Sequence, residues 1–388
     1  RTIDNALATL QVMFNWVKQT VGISEPIYGP TAIQSVAEQT KEQAFTELCR
    51  DDLPWEVYDS TCVETKTFYM MSDEGNMGLV QVIYSNVMGI QKTAQFSAKI
   101  MYKADSQRDH LWSSDNLSKF SFSDDKQNFR AEGCSMDLAA DGKSYHIKSR
   151  TNPRSIVDLT FTQTAPGFML GKDGTTRFGT DPEAPWGKLY HKFWPMCQVE
   201  GQILTQNGPV DFKGRGLFVH CLQGMKPHFA AAKWNFCNFQ SPTYSAILME
   251  FTTPPSYGST SVAVGAIATR GEILFAGASP TTAPRHTTVH GDPDNDWPAP
   301  AAVEFTWAGR TADGTPASAR LAGPLGPRID RVDVMGELPK FVKQIVAGAA
   351  GTKPYIYQYA PRLTLLLDVG GKEVREEGQL MMEATFIS

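Results

Sequence analysis

The chain has 388 residues, a length that predicts two or three domains of roughly 150 residues each. Its formal net charge is only -5 and no basic stripe occurs, which argues against a nucleic-acid partner. No apolar run reaches the roughly 18 residues that a membrane-spanning helix needs, and no signal-peptide pattern precedes the domains. We therefore expect a globular protein that is soluble or, at most, peripherally attached to a membrane.

The first predicted element is an amphipathic helix over residues 1–22. Apolar side chains recur at three- and four-residue spacing, polar side chains fill the other face, and Gly22 ends the pattern. A helix with large apolar side chains and few charges either packs on its own protein or lies in a membrane interface. The side chains that would enter a membrane are Met13, Phe14, Trp16, Val17 and Val21.

Residues 23–54 form a predicted linker that is partly helical, with helical character over residues 32–49. From residue 67 onward the apolar pattern changes to short strands without helices between them, separated by turns such as Asp141-Gly142. Strands at this spacing are typical of a sandwich or a barrel. Residues 55–212 are therefore predicted to form one β domain.

Residues 213–388 repeat the same strand pattern and form a second predicted β domain, interrupted by one predicted helix at residues 339–348. Its most prominent stretch is a hairpin of two apolar runs, residues 233–239 and 244–252, joined by a short polar connection. Strands that are apolar on both faces are buried on both, or face a core on one side and an apolar cavity on the other.

The six cysteines are widely separated, and none forms a close pair with the spacing of metal ligands. We interpret them as reduced thiols that pack as small hydrophobic side chains, which favours the cytosol. They are Cys49, Cys62, Cys134, Cys197, Cys221 and Cys237.

No stretch carries a recognisable catalytic or metal-binding motif. The loop that begins at Asp292 has the carboxylate spacing of a calcium loop, but Val303 occupies the position that requires a bidentate Glu. His286 and His290 are four residues apart, yet the surrounding Pro, Thr and Gly residues argue against a helix that would align them. The sequence therefore predicts neither a metal site nor a cofactor.

Three further histidines, His191, His220 and His228, lie near aromatic residues. We interpret each as packed or hydrogen-bonded, because the sequence places no carboxylate or nucleophile beside it. An all-β protein that is rich in aromatic residues and lacks a catalytic signature indicates a binder of an apolar ligand.

Several blocks of sequence closely resemble the fungal survival factor 1 family, and the resemblance covers about residues 13–388. The blocks include Pro185-Trp-Gly187, Phe193-Trp-Pro195, Gln223-Gly-Met-Lys-Pro-His228, Trp234-Asn-Phe236, Tyr244-Ser-Ala-Ile-Leu-Met-Glu-Phe-Thr-Thr-Pro254 and Gly351-Thr-Lys-Pro-Tyr-Ile-Tyr-Gln358. The resemblance implies an all-β fold of two tandem lipocalin-like antiparallel β-barrels preceded by an amphipathic helix.

The resemblance also implies a function. The family is described as carrying ceramide between the endoplasmic reticulum and the Golgi and as supporting survival under oxidative stress, without enzymatic activity. Its N-terminal helix, which starts at an acetylated Met, is thought to bind membranes, and Met13 matches that start. Residues 1–12 precede this position, which departs from the family's pattern. The implied locations are the cytoplasm, the endoplasmic reticulum and Golgi membranes, and the nucleus.

A closed barrel of about eight strands can hold one small apolar ligand. The candidate lipid-binding residues are Phe193, Trp194, Phe218, Trp234, Phe236, Phe239, Tyr244 and Met249. Two other interpretations stay open. Related tandem-lipocalin folds include enzymes of the cyclase or hydratase type that act on polyenes or isoprenoids, and these need little acid/base equipment. A stress-linked interaction protein with filled barrels is the third interpretation.

Overall fold

The computed structural model describes residues 26–333 and 354–387. The predicted helices at residues 1–22 and 339–348, including Met13, Phe14, Trp16, Val17 and Val21, lie outside these residues. Within them the chain forms two antiparallel β-sheets, and the only α-helical segments are the single turns α1 (Val36–Gln39) and α2 (Pro227–Ala230). No helix among the described residues has the length and apolar content to cross a bilayer.

The first sheet contains sixteen strands and runs in the order β6-β5-β4-β3-β16-β14-β11-β10-β9-β8-β7, with five short strands at its sides. The strands are β1 Ile33–Gln34, β2 Phe45–Glu47, β3 Cys62–Ser72, β4 Met77–Val87, β5 Gln91–Met101, β6 Leu111–Asn116, β7 Ser121–Phe122, β8 Phe129–Ala131, β9 Cys134–Leu138, β10 Ser144–Ser149, β11 Ile156–Gln163, β12 Phe168–Leu170, β13 Thr175–Phe178, β14 Gly187–Thr205, β15 Gly208–Asp211 and β16 Gly214–Gln223. The sheet curls around one buried core to which β3, β4, β5, β9, β10, β11, β14 and β16 all contribute.

The second sheet contains eleven strands in the order β20-β19-β18-β17-β27-β26-β23-β22-β21, with β25 also paired to β27 and β24 paired to β25. The strands are β17 Lys233–Gln240, β18 Tyr244–Thr252, β19 Ser261–Thr269, β20 Glu272–Ala278, β21 Ala283–Gly291, β22 Pro298–Arg310, β23 Pro316–Pro324, β24 Asp330–Asp333, β25 Tyr355–Tyr359, β26 Arg362–Val369 and β27 Lys372–Phe386. Strands β20 and β22 approach so closely that a Cβ at Gly277 would lie 2.3 Å from the Ala308 carbonyl oxygen. This contact closes the second barrel, and the prediction of two tandem antiparallel barrels is confirmed.

The hairpin of β17 and β18 is buried on both faces. On one face, Phe239 and Leu248 belong to the core inside the second barrel. On the other face, Phe236 and Ile247 belong to a separate cluster that also contains Tyr69 of the first sheet. The unbroken apolar character of the hairpin therefore has a simple cause, since it separates the second barrel's interior from the interface between the barrels.

Polar contacts hold the two barrels together around this apolar interface. The Gly271 amide donates to the Thr164 carbonyl oxygen at 2.7 Å, and the Ser245 hydroxyl donates to the Pro195 carbonyl oxygen at 2.6 Å. Lys99 of the first barrel is buried against Asp330 of the second barrel. The interface thus fixes one barrel against the other.

Two local assignments from the sequence need correction. Strand β16, which was predicted to open the second domain, pairs with β3 and β14 of the first sheet. The chain changes sheets between Gln223 and Lys233, since β16 supplies the central position that closes the first core. Residues 32–49 contain only one helical turn, and β1 and β2 in this region pair with β13 and β12 of the first sheet.

Candidate functional site

The interior of the first barrel contains a group of ionisable side chains that we call the inner cluster: Glu64, Lys66, Tyr190 and His220. The strand period of two places Glu64 and Lys66 on the inward face of β3, and the register sets Lys66 directly opposite His220 of β16. Glu64, Lys66 and His220 are completely buried, and Tyr190 is 5% exposed. Charged side chains are almost never fully buried unless they are paired, so each member of the cluster is expected to have polar partners.

Glu64 and His220 form a buried pair. The Nε2 atom of His220 lies 2.8 Å from Oε1 of Glu64, and the Tyr190 hydroxyl is 3.5 Å from the same nitrogen. Burial lowers the pKa of His220 to about 4, although Glu64 opposes this shift. Burial alone would raise the pKa of Glu64, but hydrogen bonds from His220 and from two backbone amides hold it below its usual value. The pair is therefore a carboxylate that accepts a hydrogen bond from a neutral imidazole.

Lys66 makes no ion pair among the described residues. Its Nζ atom donates to the Leu53 carbonyl oxygen at 2.7 Å and to the Tyr145 hydroxyl at 3.0 Å. The same atom lies over the Trp55 ring, 4.9 Å from its centroid. Burial, with a contribution from Lys192, lowers the pKa of Lys66 to about 7, so a substantial fraction is the neutral amine at neutral pH.

Residues 52–57, which we call the mouth segment, cover the inner cluster. The backbone amides of Glu56 and Val57 donate to the two carboxylate oxygens of Glu64 at 2.8 and 3.0 Å. Lys192 donates to the Asp52 carbonyl oxygen at 2.5 Å, and the Trp55 side chain of the segment is fully buried. Val57 has a φ of 53°, which a β-branched residue rarely adopts. The cluster thus holds the segment in a strained, closed conformation.

Three buried polar atoms near the cluster have no hydrogen-bond partner within the described residues: Trp55 Nε1, Tyr84 Oη and His220 Nδ1. Tyr84 lies opposite Glu64 in the register of β3 and β4, and the Trp55 and His220 rings are 6.0 Å apart. They offer one donor, one hydroxyl and, when Nε2 carries the proton, one acceptor. Leaving a buried polar group unpaired costs about 1–3 kcal/mol, so a ligand with complementary polar groups would gain hydrogen bonds at these atoms.

The barrel interior beyond the cluster is aromatic. Tyr145 packs against Phe68, Trp194 and Phe218 with ring centroids 5.0–5.2 Å apart. The Phe68 ring also lies 4.8 Å from the Phe218 ring. One end of the barrel is therefore polar and covered by the mouth segment, and the remainder is apolar, which matches the polarity of an amphiphile.

The eight lipid-binding candidates from the sequence divide among three places. Trp194 and Phe218 lie in the first barrel beside Tyr145. Phe239 and Tyr244 belong to the second barrel's core or pack against it. The interface cluster contains or contacts Phe193, Trp234, Phe236 and Met249. They do not form one site, and their role in lipid binding stays a prediction.

The space between the barrels is small. A cavity of about 10 Å³, the volume of roughly one water molecule, lies beside His191, whose Nε2 is unpartnered and whose pKa burial lowers to about 3. A larger groove of about 340 Å³ at the surface seam is lined by residues of both barrels, including Met196 and Arg270. The cavity is too small for a lipid chain, and the groove is open to solvent.

The second barrel also contains a buried carboxylate, Asp292, but its partners include two arginines, whereas the side-chain partner of Glu64 is a neutral imidazole. Asp292 accepts hydrogen bonds from Arg328, Arg331 and the Tyr357 hydroxyl, at 2.8–3.1 Å. These bonds outweigh burial and hold the pKa of Asp292 well below its usual value. The loop that begins at Asp292 is thus anchored by this network, and no group of three potential metal ligands occurs among the described residues.

Sequence reasoning missed the inner cluster. It began the strand at residue 67, whereas β3 begins at Cys62. With the longer strand, Glu64 and Lys66 fall on the same face as Phe68, and this alternation was the available signal for buried charges. The interpretation of His220 as lacking a carboxylate neighbour is wrong, because Glu64 lies 156 residues away in the chain and only the fold brings the two together.

Comparison with known proteins identifies the relatives of this chain. The family model described as the Svf1 family matches residues 13–388. The chain belongs to the Svf1 family. It is 56% identical over 383 residues to "Ceramide-binding protein svf-1" of Neurospora crassa, with 97% of this chain and 100% of that protein covered. It is 40% identical to "Ceramide-binding protein svf1" of Schizosaccharomyces pombe, with 96% and 99% covered.

Two solved structures share the fold of this Svf1-family chain. A crystal structure of CghA with Sch210972 gives a TM-score of 0.57 at 14% identity and covers 89% of this chain and 99% of that one. Kievitone hydratase from Nectria haematococca gives a TM-score of 0.54 at 12% identity, with 92% and 98% covered. At these identities the likeness establishes the tandem lipocalin-like fold.

Proposed function

We propose that this protein binds a ceramide-class lipid without chemical conversion and that the first barrel holds it. The relatives that match along their whole length carry ceramide binding in their names. Ceramide has two long apolar chains and a small head of one amide and hydroxyl groups. The observation that carries the assignment to the first barrel is the set of unpartnered polar atoms of Trp55, Tyr84 and His220 inside an otherwise aromatic interior.

The chemistry of the head suits these atoms. Trp55 Nε1 can donate to the amide carbonyl oxygen, His220 Nδ1 can accept from a hydroxyl or the amide N–H, and the Tyr84 hydroxyl can do either. Each neutral hydrogen bond contributes about 0.5–1.5 kcal/mol. The chains require much more apolar contact, at roughly 0.8 kcal/mol for each buried methylene.

Entry of the lipid requires the mouth segment to move, because Trp55 closes the space above the cluster. The segment is held by hydrogen bonds to Glu64, Lys66 and Lys192 rather than by a regular strand. The strained backbone at Val57 favours its release. Opening would expose the cluster to the head and let the chains displace aromatic side chains deeper in the barrel.

Removing one hydroxyl tests this assignment. We expect Tyr84→Phe to weaken binding of a fluorescent ceramide by roughly two- to tenfold, the equivalent of one neutral hydrogen bond. The same variant should keep or slightly raise the free energy of unfolding, because the Tyr84 hydroxyl has no hydrogen-bond partner among the described residues. Vesicle-extraction titrations and urea denaturation measure the two effects.

Tyr357→Phe is the matched control. Its hydroxyl bonds Asp292 and Asn295 in the second barrel, so its loss should lower stability by about 1–3 kcal/mol while ceramide affinity is unchanged. The opposite pattern, in which Tyr357→Phe weakens binding and Tyr84→Phe does not, would indicate that the lipid binds in the second barrel.

We further propose that the bound lipid is carried between endoplasmic reticulum and Golgi membranes, with survival under oxidative stress as a consequence of sphingolipid homeostasis. The residues that support membrane docking are those of the amphipathic pattern at residues 1–22. Low positive charge in this segment means that apolar insertion, more than attraction to anionic lipid, would supply the affinity.

Replacing three of these apolar side chains tests the docking role. We expect the triple variant Phe14→Asp, Trp16→Asp and Val17→Asp to lose co-flotation with neutral liposomes, because charged side chains do not enter the acyl boundary. A control variant with three Asp substitutions on the polar face, at Asn15, Lys18 and Gln19, should still float with the liposomes. Unchanged flotation of the first variant would refute docking through this segment.

A second candidate function is acid/base catalysis on an apolar polyene or isoprenoid. The observation that favours it is the Glu64–His220 pair, because a carboxylate that orients an imidazole is a common arrangement for a general base. Turnover distinguishes the two functions. A bound isoprenoid whose mass or cyclisation state changes in the wild type but not in His220→Asn would favour the enzyme.

A further inference from the structure

Lys66 is a member of the inner cluster to which the proposed ceramide contacts assign no role. Its Nζ atom is fully buried and contacts only neutral acceptors, the Leu53 carbonyl oxygen and the Tyr145 hydroxyl. A buried ammonium is normally paired with a carboxylate, since an isolated charge in the interior costs several kcal/mol. No carboxylate forms an ion pair with Lys66 in the described part of the chain. The geometry therefore suits an uncharged amine, which is a nucleophile.

The surroundings of Lys66 also suit a carbonyl reaction. Lys66 is completely buried, so bulk solvent does not reach the amine, and its Nζ atom lies over the Trp55 and Tyr145 rings, 4.9 and 5.2 Å from their centroids. The Tyr145 hydroxyl, 3.0 Å from Nζ, can pass a proton from nitrogen to a neighbouring oxygen. Beyond Tyr145 lie the aromatic rings of Trp194 and Phe218, which would accommodate a long alkyl chain.

We propose that Lys66 is a covalent binding site for long-chain aliphatic aldehydes, which it captures reversibly as an imine. The proposal rests on the proposed function in one respect, namely that the first barrel admits a long apolar chain through the mouth segment. To the proposed function it adds a reactive amine, a second class of ligand and a covalent bond between the two. Ceramide itself has no aldehyde and does not react.

The reaction balances without an oxidant or reductant. The nitrogen lone pair of Lys66 attacks the aldehyde carbon, a C–N bond forms, and the carbonyl oxygen takes up the proton that nitrogen loses. The resulting carbinolamine then loses water, so that C=N replaces C=O. The product has one imine and one water for each amine and aldehyde consumed, and hydrolysis reverses it. A dry, aromatic surrounding favours the imine because it keeps water from the carbon.

The titratable groups that face Lys66 come from every wall of the site. Glu64 lies two positions before it on β3, His220 lies opposite it on β16, and Lys192 lies opposite His220 on β14. Tyr145 of β10 bonds it directly. Lys192 and burial favour the neutral amine, whereas Glu64 favours the ammonium, and the balance places the pKa of Lys66 at about 7. We therefore expect the rate of capture to rise with pH through about 7 and then level off.

Reductive trapping tests the proposal. The full-length protein is incubated with hexadecanal and sodium cyanoborohydride at pH 7.5, digested, and mapped by mass spectrometry for alkylated lysines. We expect Lys66 to react at least about tenfold faster than exposed lysines such as Lys41 and Lys119, because a pKa of about 7 leaves over half of it neutral whereas an ordinary lysine is about 0.1% neutral. Lys119→Met, at an exposed lysine outside the barrel interior, should keep the adduct at Lys66, and protein unfolded in urea should lose the selectivity.

The outcomes separate this proposal from the proposed function. Ceramide binding with no adduct at Lys66, or with adduct spread evenly over exposed lysines, overturns the aldehyde site alone. An adduct at Lys66 in protein that does not bind ceramide supports the aldehyde site and overturns the ceramide assignment. Lys66→Met should abolish the selective adduct, provided that its circular dichroism shows a folded protein. If another residue of the first barrel is then labelled as strongly as Lys66 is in the wild type, Lys66 is not the reactive group.

Discussion

Replacing Glu64 with alanine should lower the free energy of unfolding by about 3–5 kcal/mol, because it leaves three hydrogen-bond donors without their acceptor, at about 1–3 kcal/mol each. The change leaves the Nε2–H of His220 and the amides of Glu56 and Val57 without an acceptor. It also removes the nearest negative charge from Lys66, whose ammonium form Glu64 favours. Urea denaturation followed by tryptophan fluorescence measures the loss, and we expect Trp55 to become partly exposed as the mouth segment loosens.

Asp158→Ala is the matched control for Glu64→Ala. Asp158 also pairs with a histidine between adjacent strands, at 2.8 Å from Nε2 of His146, but the two side chains are 59% and 43% exposed. Exposed pairs contribute only about 0–1 kcal/mol, so the control should unfold close to the wild type. Equal losses in the two variants would show that burial of the Glu64–His220 pair has no energetic importance.

The stability difference between the wild type and Lys66→Met should grow in favour of the wild type by about 2 kcal/mol between pH 7 and pH 9, at about 1.4 kcal/mol for each pH unit of full proton difference. The pKa of Lys66 is about 7 in the folded state and 10.5 unfolded, so the unfolded chain binds the extra proton throughout this window. Stability from this group is therefore lowest below pH 7 and recovers as pH rises.

The comparison must be made against Lys66→Met rather than on the wild type alone. Burial raises the pKa of five thiols, and these groups destabilise the folded chain as pH rises, because the unfolded thiols ionise first. They are Cys62, Cys134, Cys197, Cys221 and Cys237. Both proteins share this slope, so it cancels in the difference. A difference that does not vary from pH 7 to pH 9, measured with reductant present, would mean that Lys66 is an ordinary ammonium.

Several buried polar groups in and near the inner cluster lower the free energy of unfolding. A buried lysine without a carboxylate and three unpartnered polar atoms are each unfavourable, and apolar side chains of the same size would avoid these costs. Local departures from good packing of this kind concentrate at functional sites. The energetic cost of the inner cluster therefore supports the interior of the first barrel as the proposed binding site.

Local sequence determined most of the fold. Turn residues and strand-length apolar runs predicted the strands, and the hairpin of β17 and β18 formed where residues 233–252 indicated. The resemblance to one family supplied the two barrels. These features were predictable because turns and alternation depend on residues that are close in the chain.

Boundaries were less predictable for the same reason. The sequence of a strand such as β16 is compatible with either barrel, and only its pairing with β3 and β14 assigns it to the first barrel. The helical spacing at residues 32–49 was overridden by pairing of β1 and β2 with the edge of the first sheet, since tertiary packing outweighs weak local preferences. The aromatic candidates were buried as expected of large apolar residues, but which core each one joined depended on the curl of its sheet.

The chemistry of the site was decided by tertiary structure alone. Glu64 and His220 are 156 residues apart, and Lys66 reaches Tyr145 from 79 residues away. Neither distance can be read from spacing, because strand order and curl determine which inward-facing side chains meet. The sequence by itself determined that this protein is a pair of aromatic-lined β-barrels of the Svf1 family. Only the folded structure showed that the inner cluster lies inside the first barrel, because burial and pairing depend on neighbours that the chain brings together over long distances.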